Sequence, residues 1–178
     1  MKLTKKLLAM ALAGVMLLTI LTGCSGGKTG DRLVEEYMAT FISEHSGDIP
    51  TTHDVPEIKT VADMFETSET SWLNDDGSWN IRGGKDSTDA KYKALKDVFN
   101  KYASGYTVTL VAFEVDSTQS ELDQAMRVMT SSLLSGLQVY GPGVKTTAAK
   151  CATRLVTRGD KSYRIAVIIY DHHAVAVG

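Results

Sequence analysis

The ten residues YTVTLVAFEV, 106 to 115, restrict the fold more than any other stretch of this 178-residue chain. β-Branched and aromatic side chains fill the run, which therefore reads as a buried strand. Two further runs of the same kind, roughly 148 to 157 and 162 to 170, are joined at Arg158-Gly159-Asp160-Lys161 and read as a hairpin. A short AVAV segment near the end, 174 to 177, offers a closing strand. Strands this apolar need cover on their faces, so the remaining segments have to supply helices.

The helical periodicity is present where that cover is needed. Asp31 to Ser46 repeats Leu33, Val34, Tyr37, Met38, Phe41 and Ile42 at helical spacing, with Asp31 able to cap and Gly47 just beyond the end. GDIPTTHDVPE holds two of the three prolines and reads as a loop, and Ile58 to Thr67 places Val61, Ala62 and Phe65 on one side of a short helix. In SWLNDDGSWNI the Asp76-Gly77 pair is a turn signal between Trp72-Leu73 and Trp79-Ile81. A helix from Asp86 or Ser87 to about Ala103 would bury Tyr92, Leu95, Val98, Phe99 and Tyr102, with Gly105 stopping it. After the first strand, Ser117 or Thr118 is placed to cap a helix burying Leu122, Ala125, Met126, Met129 and Leu133. Glu121 stands at capping-box spacing from Thr118. Helices first, then strand, helix and hairpin make one α+β domain, its helices packed on a mainly antiparallel sheet.

The amino end reads differently. Lys2, Lys5 and Lys6 precede LLAMALAGVMLLTIL, an apolar run of about 15 residues, shorter than the roughly 20 that a spanning helix needs. Leu21-Thr22-Gly23-Cys24 follows and resembles the cleavage box of bacterial lipoproteins. That resemblance implies removal of residues 1 to 23, a diacylglyceryl group on the Cys24 sulfur, and a flexible tether over 24 to 30 ahead of a single domain spanning 31 to 178. Each buried methylene contributes about 0.8 kcal/mol, so two or three acyl chains would hold the protein on the extracytoplasmic face of a membrane.

Loss of residues 1 to 23 removes three of 19 basic residues and none of the 21 acids, leaving 16 against 21, a net charge of −5. Nucleic-acid binding needs a clustered basic face, and no such cluster is present. Cys151 is left as a lone thiol with no disulfide partner, in a strand context that suits a small buried hydrophobe. As a nucleophile it would need a histidine nearby in space.

In order and pattern, residues 57 to 170 resemble the CAP superfamily, the secreted SCP and pathogenesis-related-like domains. TSWLNDDGS (70 to 78) stands where bacterial members carry a phrase like FSHTRPDGS, VTLVAFE (108 to 114) where they carry GENIAYG, and VMTSSLLS (128 to 135) where they carry WMNSPGHR. The resemblance implies an α-β-α sandwich with an open cleft. Relatives with a metal-binding cleft place two histidines and two acids there; the matching positions include Trp72, Leu134 and Thr109. Indole, isobutyl and hydroxyl groups are poor substitutes for imidazole and carboxylate donors. The implied cleft is therefore degenerate, without metal or cofactor, and fitted to a lipid, peptide, glycan or envelope protein.

Other features admit enzymatic readings. Asp171-His172-His173 holds the only histidine pair, and both rings could reach one ion only if the chain turns there. Glu114 and Asp116, two apart at a strand end, are a candidate carboxylate pair or simply solvated. His45 and His53, at a helix end and in the proline loop, read as exposed. No Gly-x-Ser-x-Gly, Walker loop, dinucleotide fingerprint, His-Glu-x-x-His or paired-cysteine motif occurs. Three functions fit the sequence: a membrane-tethered, non-catalytic CAP-like binding or interaction module; a divergent hydrolase or cell-wall-active enzyme using His172 and His173; and a structural envelope lipoprotein.

Overall fold

One strand is buried on both faces, and the fold is arranged around it. In the computed structural model, which describes residues 30–67, 88–102, 105–132 and 146–172, the chain runs in the following order. Helix α1 (Gly30–Ser46), strand β1 (Thr51–Thr52), helix α2 (Glu57–Thr67) and helix α3 (Ala90–Val98) come first, then a 3-10 turn (Asn100–Tyr102). Strand β2 (Tyr106–Val115), helix α4 (Glu121–Ser132), strand β3 (Ala148–Arg158) and strand β4 (Lys161–Asp171) complete it. The strand order is β1-β3-β4-β2, with β4 antiparallel to both β2 and β3 and β1 parallel to β3. The class is mixed α+β.

Alternation along β4 divides the core. Ile165, Val167 and Ile169 point to one side, where they meet Val61 and Phe65 of α2, Leu95 of α3 and Phe99 just past its end. Ala166 and Ile168 point to the other, where they meet Val34, Met38 and Ile42 of α1 and Ala125 and Val128 of α4. A period-2 strand covered by helices on both faces has no solvated side, which is why SYRIAVIIY is almost continuously apolar. Each of these aliphatic chains, fully withdrawn from water, contributes roughly 1.5–3 kcal/mol.

Local chemistry sets the ends of the elements. Gly47 takes φ +79° and Asp48 φ 58°, and the Asp48 N–H donates to the Ser43 carbonyl at 3.0 Å, a left-handed stop to α1. The hairpin closes on two residues, Gly159 and Asp160, with Gly159 at φ +64° and Arg158 facing Lys161.

Several expectations shift. The third helix starts later than Asp86 or Ser87, because the Asp89 carboxylate accepts from the N–H groups of Lys91 and Tyr92 at 2.8 and 3.3 Å and caps it there. Its end tightens into the 3-10 turn, and Tyr92 and Val98 are half-buried while Leu95, Phe99 and Tyr102 form the inner face. The capping box of α4 belongs to Ser120 and Asp123, not to Thr118 and Glu121. Ser120 Oγ accepts from the Asp123 N–H at 3.2 Å and Asp123 Oδ2 accepts from the Ser120 N–H at 3.1 Å. In α4 Met126 faces outward, whereas Gln124 and Val128 are inside. The Asp76-Gly77 turn and the AVAV segment lie outside the described residues.

Candidate functional site

Those residues singled out in the sequence that the structure describes do not come together at one place. Cys24, Trp72, Leu134 and His173 lie outside the described residues. Thr109 sits in the middle of β2 opposite Ile168, on the face shared with Val111 and Phe113, and is only 2% exposed. It is sealed inside the sheet layer. Glu114 pairs with Lys161 at 2.8 Å, whereas Asp116 accepts from the N–H and hydroxyl of Thr118, both at 2.8 Å. Those two bonds hold the Asp116 carboxyl below its ordinary range. The two acids do not form a pair.

His172 is 4% exposed, just past the end of β4, where its N–H donates to the Gly105 carbonyl at 2.7 Å. Its Nε2 lies 2.9 Å from Thr107 Oγ1 and its Nδ1 3.1 Å from Thr146 Oγ1. In either tautomer one threonine hydroxyl donates to the bare nitrogen and the other accepts from the N–H, so both ring positions are taken. Burial lowers its pKa, partly offset by the negative charge of Asp171. At neutral pH it is an uncharged imidazole bracing two chain segments, with no lone pair aimed outward.

Cys151 does have a histidine beside it, which the sequence places in a proline loop and leaves exposed. His53 is half-buried, its Nδ1 3.7 Å from Cys151 Sγ and 3.9 Å from Glu35 Oε2. Cysteine, histidine and carboxylate together invite a thiol-nucleophile reading. Geometry and protonation oppose it. One nitrogen faces both partners, whereas a triad uses one ring nitrogen for the nucleophile and the other for the orienting acid. Burial pushes the Cys151 thiol up to about 12, with the Glu35 charge adding to the shift, and the side chain is 0% exposed. The His53 pKa is itself lowered, chiefly by burial and then by the Arg32 charge, against the raising effect of the Glu35 and Glu36 carboxylates. A neutral thiol beside a neutral imidazole is a packing arrangement.

The deepest polar cluster surrounds Arg164, 2% exposed within β4. Its guanidinium bonds Asp31 Oδ1, the Gln124 side-chain oxygen at 2.9 Å and Thr153 Oγ1 at 3.5 Å. Asp31 Oδ1 also accepts the Leu155 N–H at 3.0 Å, and Glu35 Oε1 accepts the Thr153 N–H at 3.0 Å. Beyond the two residues where β1 pairs with it, β3 therefore directs its outer N–H groups to carboxylates of α1. Helix, edge strand and central strand are locked at one place. From sequence alone Arg164 is one polar letter in an apolar strand, and its partner Asp31 lies 133 positions away.

At the other end of the sheet, a groove of about 200 Å³ opens between β1 and the strand termini, lined by Thr52, Tyr106, Ala149, Lys150, Ile169 and Asp171 among others. Its walls are mostly apolar, with one cation and one anion. Among the described residues no group of three or more His, Cys, Asp or Glu converges as metal ligands, and no helix is long and apolar enough to cross a membrane. No protein-family model, curated protein or solved structure matches this chain.

Proposed function

We propose that the protein is an exported lipoprotein, fixed to the extracytoplasmic face of a bacterial membrane through lipid on Cys24, whose α+β domain is a binding or interaction module rather than a catalyst. The observation that carries the reading is LTGC at residues 21 to 24, placed after three lysines and an apolar run too short to span. What supports a non-catalytic domain is the state of its interior groups. His172 is closed by two threonines, Cys151 is a buried neutral thiol, and Arg164 is held by Asp31, Gln124 and Thr153. The groove beside Tyr106 and Ile169 is the described surface suited to an apolar or mixed ligand such as a lipid, a peptide or a glycan.

Within the α+β class, the finer fold we propose is a CAP-like α-β-α sandwich. Helices on both faces of a mainly antiparallel sheet support it, as does VTLVAFE within β2 followed by a capped helix. In that reading Trp72 and Leu134 mark a cleft without metal donors, and Thr109, sealed inside the sheet layer, does not line it. Fractionation of cells expressing the full chain tests the anchoring: wild type should pellet with membranes and Cys24→Ser should lose lipid attachment. Metal analysis of purified protein separates the module from the enzyme alternative, because stoichiometric metal lost on His172→Ala/His173→Ala would favour the latter.

A further inference from the structure

The way Asp31 is held determines which side of the domain the anchor can reach. Cys24 and Gly30 are six positions apart, so fully extended chain between them spans about 20 Å. Gly30 begins α1, and Asp31 is pinned to Leu155 of β3 and to Arg164, so no slack is added after the tether. The opposite end of α1, at Ser46, is about 25 Å further along the axis of this 17-residue helix. Lipid on Cys24 therefore keeps the hairpin end of β3 near the bilayer.

That end carries features suited to a lipid surface. Leu155 is 44% exposed, one of two large hydrophobic residues exposed to that degree among the described residues. It lies beside the first turn of α1, where the helix stops covering the strand. Its neighbour Arg154 is exposed and forms no ion pair among the described residues, while Arg32 reaches out from the first turn of α1, its own charge shared with Glu35 and Glu36. A single leucine and a single free arginine would not hold a soluble protein on a membrane. A short tether changes this by raising the effective concentration of the surface to the order of millimolar. A weak contact is then substantially populated.

We propose that the hairpin end of β3, where Leu155 and Arg154 stand on opposite faces of the strand beside the first turn of α1, docks on the lipid surface to which the chain's own acyl groups are anchored, with Leu155 entering the headgroup layer and Arg154 meeting anionic phosphates. This rests on the lipidation of Cys24 proposed above. Docking would hold α1 upright and present the groove at the far end of the sheet away from the bilayer, open to envelope ligands.

The test uses full-chain protein processed by its host, purified from membranes and weighed by mass spectrometry before use. It is reconstituted in nanodiscs of phosphatidylcholine and phosphatidylglycerol containing a headgroup nitroxide lipid. Amide signals of Arg154, Leu155 and Thr157 should be broadened several-fold more than those of Glu44 and Gly47, and Leu155→Asp or Arg154→Glu should flatten that gradient. Leu155 contributes its backbone N–H, not its side chain, to the Asp31 bond, so both exposed substitutions should fold. A correct lipidated mass with equal broadening at both ends overturns the docking and leaves the anchoring intact. An unlipidated mass overturns both.

Discussion

The carboxylate of Asp31, in the first turn of α1, is gripped by the guanidinium of Arg164 from the central strand of the sheet. The pair joins the point where the tether enters to the most buried layer of the domain. A buried charge of this kind is costly unless paired, and the cost reappears when either partner is removed. Asp31→Asn, which leaves the buried guanidinium without its counter-charge, should therefore destabilise the domain by about 3–5 kcal/mol, and Arg164→Met by a smaller amount, since Asp31 is part-exposed and keeps the Leu155 N–H. Denaturant unfolding of both single variants and the double measures the coupling. An additive double variant would show that the two groups act independently.

Acid should weaken the fold through its buried imidazoles. His172 and His53 both have folded-state pKa values below the unfolded 6.5, so the unfolded chain binds protons more readily than the native one. Their contribution is complete above about pH 7 and is lost as pH falls through 6.5 toward the lowered values. Thermal unfolding followed from pH 8 to pH 5 should show a falling Tm, with a shallower fall in His172→Gln. An equally steep fall in that variant would assign the effect to other groups.

Cys151 should behave as a core residue. With its thiol at about 12 and no exposed surface, it should resist Ellman's reagent at pH 8 in the native protein and react promptly in denaturant. Rapid native labelling would reinstate the nucleophile reading of Cys151 and His53.

The cap of α4 offers a smaller test. Ser120→Ala removes the acceptor for the Asp123 N–H and should cost about 1 kcal/mol, while Thr118→Ala should leave the helix cap itself intact. Equal losses would return the cap to Thr118.

What could be read from the sequence was local. YTVTLVAFEV becomes β2 over the very residues that its β-branched pattern marked, and the hairpin forms around Gly159-Asp160 because glycine accepts positive φ there. The α1 face of Val34, Met38 and Ile42 follows from spacing alone. Competition between neighbouring caps was harder to read. Thr118, Ser117 and Ser120 are chemically alike, and the side-chain geometry around Asp116 and Asp123 decided between them. The long-range polar contacts were not legible at all. Nothing local marks Arg164 as the partner of Asp31, nor lifts His53 out of its proline loop and against Cys151. Such pairings exist only once the sheet order is fixed.

Intact mass of the mature amino-terminal peptide, taken from protein purified out of membranes, bears most directly on the central claim. The expected peptide starts at Cys24 and carries the added mass of a diacylglyceryl group. A peptide starting at Met1, or a bare Cys24 in protein that is released by a salt wash, would contradict it.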